Sequence, residues 1–265
     1  MVKGELLKKD WFIALVISLL FLIGVFNGAA FLERLERIAY DAGIQSAHRN
    51  PGSAENIVIV AIDDESIQKI GRWPWPRSVL AEAVDKLSAA KAKVIGLQIF
   101  LSEPQTDAGL GYIRRLGAAL GKASQKGEVA ALLKQAEQEL NTDRRLAEAI
   151  PAAGNVLLPM HFTFGRPVGK PDAPLPDFVQ RNHLPRIVAR SQNVATPRQT
   201  KAVSLPLAAF GQHTAGIGHL NLIPDTDGAV RSDALAVEYY GDYYPSLALL
   251  LAARSLNLKP ADITV

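Results

Sequence analysis

Residues 57–64 read Ile57-Val58-Ile59-Val60-Ala61-Ile62-Asp63-Asp64: six apolar residues, most of them β-branched, running straight into two acids. A strand with one wet face alternates apolar and polar side chains, whereas a strand covered on both faces is apolar throughout. The run therefore predicts a buried strand of a parallel sheet, with Asp63 and Asp64 at its carboxyl end. Downstream, Val79, Leu80, Ala83, Val84 and Leu87 recur at three- and four-residue spacing and predict a helix over residues 78–90. Residues 94–101 predict a second strand, which completes a βαβ unit with a right-handed crossover. The fold class expected is α/β, a covered, mostly parallel or mixed sheet.

Further along, residues 110–140 are rich in Ala, Leu, Lys, Glu and Gln, with helical spacing at Val129, Leu132, Leu133, Ala136 and Leu140. They predict a helical insertion, broken by Gly121 and Gly127. Asn141-Thr142-Asp143 is suited to cap a further helix running to about Ile150. Residues 156–162 predict a third strand, in which Pro159 argues for an edge or a bulge because proline cannot donate to a ladder. Residues 165–206 are dense in proline and glycine, and no regular structure is expected there. Residues 216–223 and 230–240 predict two strands joined as a hairpin through the turn-rich segment 224–228. Residues 246–255 predict the last helix, and residues 262–265 read as the opening of another strand, so the fold is expected to be incomplete at that end.

Working back toward the start, residues 11–30 are an unbroken apolar run, preceded by Lys3, Lys8 and Lys9 and followed by Glu33, Arg34, Glu36 and Arg37. About 20 residues at about 1.5 Å each match a hydrocarbon core of about 30 Å, so a single transmembrane helix is expected. A cleaved signal peptide is the alternative, with Gly28-Ala29-Ala30 as the cut. The run exceeds the usual apolar core of a signal, and helical spacing continues through Leu32, Leu35 and Ile38, so an uncleaved anchor is favoured. The expected organisation is a cytoplasmic tail and transmembrane anchor over residues 1–31, then an extracytoplasmic domain over 32–265.

The 265 residues contain no cysteine, which excludes a disulfide framework, a thiol nucleophile and any Cys-based metal site. The net charge of +3 comes with no clustered run of Lys or Arg beyond the anchor's lysine pair, so nucleic-acid binding is unsupported. His48, His161, His183, His213 and His219 show no paired metal spacing, and no nucleophile elbow, dinucleotide or phosphate-loop fingerprint is present. Asp225 and Asp227 before Gly228 imitate part of a calcium loop but lack its distal glutamate, which leaves a β-turn. No catalytic residue, metal or cofactor is expected.

Two constellations remain as candidate ligand-binding residues. Asp63 and Asp64 sit at a strand's carboxyl end, where open sheets bind ligands, although either acid equally suits the cap of a short helix over 65–70. Residues 71–77, Gly-Arg-Trp-Pro-Trp-Pro-Arg, combine two aromatics, two prolines and two guanidinium groups in one stiff loop. Trp73, Trp75 and Arg77 from that loop are expected to line a pocket with Asp63 and Asp64. The competing reading packs both tryptophans under the sheet edge and starts a helix at Pro76.

Tyr40-Asp41, the segment 57–67, residues 70–77, Gly96-Leu97-Gln98-Ile99-Phe100 and Ser102-Glu103-Pro104 together resemble the CHASE2 sensor domain. Asp143 with Leu146-Ala147, residues 154–159, 216–221, 224–231 and 244–248 extend the likeness in order over about residues 33–256. The resemblance implies an extracytoplasmic input domain of a bacterial transmembrane receptor in the inner (plasma) membrane, homodimeric through its anchor helices and responding to a small molecule or envelope stimulus. It also implies a cytoplasmic output module absent from this chain. Gln98 stands where the family commonly has aspartate; with the helical insertion it is more similar to the forms joined to serine/threonine kinases. Two other classes stay open: a secreted metal-dependent hydrolase or phosphatase using Asp63 and Asp64, and an envelope assembly protein docking through residues 110–140.

Overall fold

The structure is a computed structural model that describes residues 10–26, 30–47, 56–105, 107–121, 127–171, 173–185 and 196–263. It divides into two compact units, residues 1–63 and 64–265.

In the first unit the apolar run forms α1 (Asp10–Phe26) and the amphipathic continuation forms α2 (Ala30–Ser46). Apolar side chains from Trp11 to Ile23 are exposed all round α1. Its 17 residues span about 25 Å at about 1.5 Å each, short of a hydrocarbon core of about 30 Å. Among the described residues no helix is long and apolar enough to cross a membrane; residues 27–29 of the expected span lie outside them. On α2, Arg37 pairs with Glu33 one turn back at 3.0 Å.

The strand expected over residues 57–62 does not form. Apart from a single helical-turn residue at Asn56 the segment is irregular, and Ile57, Val58, Ile59 and Val60 are 68 to 86 % exposed. Apolar β-branched composition marks a segment able to enter a sheet, but a strand exists only against a partner. In the first unit the described neighbours are two helices, and no strand among the described residues offers a ladder. The expected βαβ unit is therefore absent as read, and the parallel pairing starts one strand later.

The second unit opens with α3 (Asp64–Ile70) and α4 (Arg77–Ala89), then β1 (Ile95–Gly96). The insertion is the pair α5 (Ala108–Leu120) and α6 (Gly127–Leu140), broken where Gly121 and Gly127 take φ of 51° and 79°. Next come α7 (Thr142–Ala153), capped by the Asn141 side chain, and β2 (Val156–Phe164). After α8 (Asp177–Gln180) follow β3 (Arg198–Ser204), α9 (Ala208–Gly211), β4 (Gly216–His219), β5 (Ala236–Tyr239), β6 (Asp242–Pro245), α10 (Leu247–Ser255) and a 3-10 turn, Pro260–Asp262. The last expected strand is not seen at Ile263, and residues 264–265 lie outside the described residues.

The sheet is mixed. β2 runs parallel to β1 and β4 and antiparallel to β3; β3 runs parallel to β5, and β5 turns into antiparallel β6. Pro159, expected at an edge, lies instead in the most paired strand, opposite Gly218. The reason is which side its missing donor faces. Asn155 and Leu157 accept from Ile95 and Leu97 on the β1 side, so the next group due on that side is the nitrogen of Pro159, which has no hydrogen. The proline marks where β1 pairing stops and leaves the β4 ladder whole.

Two further expectations are corrected. Residues 216–223 and 230–240 do not pair as a hairpin: β4 joins β2, while the hairpin is β5–β6, closed by Tyr240 and Gly241 with φ of 50° and 95°. Two successive residues at positive φ are what a tight two-residue hairpin turn requires. The segment 224–228 is a local turn, with Gly228 donating to the Asp225 carbonyl and Arg231 spanning the carboxylates of Asp225 and Asp227. The excursion 165–206 also contains a strand, β3, whose polar composition hid it.

Alternate residues of β2 feed opposite faces of the sheet. Leu158 and Met160 join Leu80 and Val84 of α4 and Leu146 and Ile150 of α7, while Leu157 packs with Leu247 and Leu250 of α10. The contact with α10 is close enough to require glycine: a Cβ on Gly218 would lie 2.6 Å from the Leu247 backbone.

Candidate functional site

The stiff loop after α3 is built from within. The indole Nε1 of Trp75 donates to the Gly71 carbonyl at 2.6 Å, and its ring meets Trp73 edge to face at 5.6 Å. Trp75 is buried and Trp73 is half-buried against the core. Pro76 then leads into α4, as the packing alternative expects.

Arg77, the first residue of α4, is buried at 9 % exposure. Nη1 donates to Asp143 at 2.6 Å, Nη2 donates to the Glu103 carbonyl, and the guanidinium carbon stands 5.2 Å from the Phe210 ring centre. Gln105 completes the joint: its side chain accepts from the Arg77 amide at 2.8 Å and from Thr142 at 2.6 Å, while its own amide donates to Asp143 at 3.0 Å. The starts of α4 and α7 and the segment 103–105 are thereby tied at one point. Sequence reasoning named Arg77 but not Asp143 or Gln105 as its partners; the only signal was Asp143 at the start of a helix, where acids are favoured anyway.

Asp64 and Glu65 occupy the first turn of α3 and are exposed, a favourable position against the helix dipole. Asp63 is exposed and belongs to the first unit. The structure thus gathers Trp73, Trp75 and Arg77 at one loop, sets Asp64 on the helix before it, and assigns Asp63 to the other unit. Among the described residues no group of three or more His, Asp or Glu side chains converges as a metal site.

One histidine, weighed in the sequence only for metal spacing, is set apart by its burial. His219 closes β4 and is 1 % exposed, with its ring 6.5 Å from Phe162, and neither ring nitrogen has a hydrogen-bond partner among the described residues. Burial holds its pKa down at about 4; the nearby backbone of Ala234 opposes the depression, while His161 adds to it. The imidazole is therefore neutral at pH 7. Tyr244, whose ring also meets Phe162, has its hydroxyl pushed up to about 12 by burial together with Asp242 and Tyr239.

With this geometry in hand, comparison with known families gives one match: the CHASE2 domain model fits residues 13–264, nearly the whole chain. No curated protein matches the chain. No solved structure matches it either.

Proposed function

The chain belongs to the CHASE2 domain family, a family of extracytoplasmic sensory domains, and from that premise we propose that it is the input module of a membrane-bound signalling receptor. The family match over residues 13–264 carries the reading. In this proposal residues 11–30 anchor the chain in the inner membrane. The support is the apolar surface that α1 exposes on every side, the pattern of a helix solvated by lipid.

Signalling here means that a stimulus binds two conformations unequally and shifts their populations. The half-buried Trp73 of the loop and the exposed Asp64 at the start of α3 are the candidate side chains open to a stimulus, with Asp63 as a further candidate. Trp75 and Arg77 hold the loop's shape. The output, a serine/threonine kinase in this reading, lies elsewhere in the receptor.

The test is a pair of reporters fused after Val265, one active only after export and one active only in the cytoplasm. Activity of the exported reporter, with the N-terminus of the recovered protein still at residue 1, supports the proposal. Activity of the cytoplasmic reporter, or a mature N-terminus near Phe31, overturns the anchored topology.

A further inference from the structure

A cavity of about 430 Å³ opens where the turn after α8, the loop before β4, the end of α10 and the 3-10 turn meet. Three of its lining residues are cationic, Arg181, Arg254 and Lys259, and His183 stands beside them. The others are Asn182, Ala215, Pro260 and Ala261, so among the described residues no carboxylate lines it. Within a fold carrying only a small net positive charge, that is a local concentration of one sign.

Both arginines are held in place by neutral groups. Arg181 Nη2 donates to the carbonyls of Thr214 at 2.8 Å and Gly211 at 3.2 Å, and Arg254 Nη2 donates to Ala215 at 2.7 Å. Backbone carbonyls fix a guanidinium in position without cancelling its charge. Among the described residues neither arginine, nor Lys259, has a carboxylate within ion-pair distance. The neighbouring acid, Asp262, accepts from the backbone amide of Lys259 at 2.8 Å. The Nε of Arg254 is buried and has no acceptor among the described residues. That nitrogen is closed to the cavity, so the groups that can meet a ligand there are the terminal guanidinium nitrogens and the Lys259 ammonium.

We propose that this cavity is a binding site for a small soluble oxyanion, a phosphate, a sulfate or a short dicarboxylate, seated on Arg254 and Lys259 with Arg181 as its fixed wall. The volume suits a small ligand and lies in the ordinary range of such pockets. Prior fixing of the arginines lowers the ordering cost of binding. His183, just beyond Arg181 in the same turn, is placed to add a donor. The site lies on other elements than the loop at residues 71–77 and stands whether or not that loop senses anything.

Isothermal titration of the full chain in detergent with sodium phosphate, sodium sulfate and sodium succinate tests this. At least one of these is expected to bind saturably at one site and to raise the melting temperature. Lys259→Gln and Arg254→Gln are each expected to weaken binding at least tenfold, while Lys134→Gln on α6, outside the cavity, leaves it unchanged. Lys259 is exposed and its ammonium pairs with no carboxylate among the described residues, so its variant keeps the test valid if Arg254→Gln unfolds. No saturable binding of any of the three anions, or binding indifferent to Lys259→Gln, overturns the proposal. Flotation with phosphatidylglycerol vesicles separates the sources: vesicle binding lost in Lys259→Gln, with no free anion bound, assigns the site to lipid headgroups and overturns the soluble ligand.

Discussion

The side-chain amide of Asn221 lies against the backbone of Phe162 as though it were one more residue of β4. Its Oδ1 accepts from the Phe162 amide at 3.0 Å and its Nδ2 donates to the Phe162 carbonyl at 2.6 Å. Both residues are buried, so the pairing of β2 continues beyond the end of β4 through a side chain. Asn221→Ala leaves both backbone groups of Phe162 unpaired, at a cost of about 3 kcal/mol on the scale of about one to three for each buried group left unmet. Urea denaturation measures this; a loss below about 0.5 kcal/mol, the range of a neutral surface change, would show that water takes over the role.

The ion pair between Arg77 and Asp143 separates a structural from a sensing role for the loop before α4. Arg77→Ala strands a carboxylate whose side chain is 23 % exposed, and about 2 kcal/mol of stability should be lost, less than for a fully buried pair. Trp75→Ala, which empties a buried indole site, should cost about 3 to 4 kcal/mol. Asp64→Asn, at an exposed position, should change stability by no more than about 0.5 kcal/mol. Response measured in the full receptor beside the stability of each variant decides the matter: if Asp64→Asn folds normally and loses response, the proposed site at α3 and its following loop senses, and if response falls only as folded protein falls, it does not.

Acid should destabilise this domain through one imidazole. His219 titrates at about 4 in the folded chain against 6.5 for a free histidine, so between those values the unfolded chain binds a proton that the folded chain refuses. Its contribution is complete above about pH 6.5, declines as pH falls toward 4 and is constant below that. The gap corresponds to about 3 kcal/mol at about 1.4 kcal/mol per pKa unit. His219→Leu should flatten the pH dependence of the urea midpoint across this window. An unchanged slope would place the acid sensitivity elsewhere.

Glycine content is uneven in its purpose, and two alanine substitutions should go in opposite directions. At Gly218 a Cβ meets the Leu247 backbone at 2.6 Å, and overpacking of this kind costs about 1 to 3 kcal/mol. At Gly111, inside α5, nothing lies within 4 Å of the added atom, and the gain in helix propensity is about 1 kcal/mol. Melting temperatures of the two variants should therefore bracket the parent; a stable Gly218→Ala would mean that α10 slides freely over β4.

What could be read from the sequence was whatever a local period or cap encodes. α4, α7, α10 and the broken helical insertion announce themselves by apolar spacing and by Gly121, Gly127, Asn141 and Ser246 at their ends. β2 was visible over residues 156–162, mostly apolar but for His161. Pairing was not, because a ladder is a relation between distant segments: residues 57–62 have the local marks of a strand and no partner among the described residues, while β3 has few such marks and two partners, β2 and β5. The same limit hid the polar joints. Arg77 with Asp143 and Phe162 with Asn221 join residues far apart in the chain, and nothing in either local sequence names the other.

The uncharged, proline-free hexamer over residues 57–62 also bears on how the protein keeps in solution. Five β-branched residues in a run of six, outside any ladder among the described residues and open to solvent, match the unit that stacks into dry, interdigitated cross-β zippers. A net charge of +3 on 265 residues gives little mutual repulsion to hold such segments apart. Intermolecular templating at this segment is therefore the expected route to loss at high concentration, and Ile59→Lys is expected to slow it.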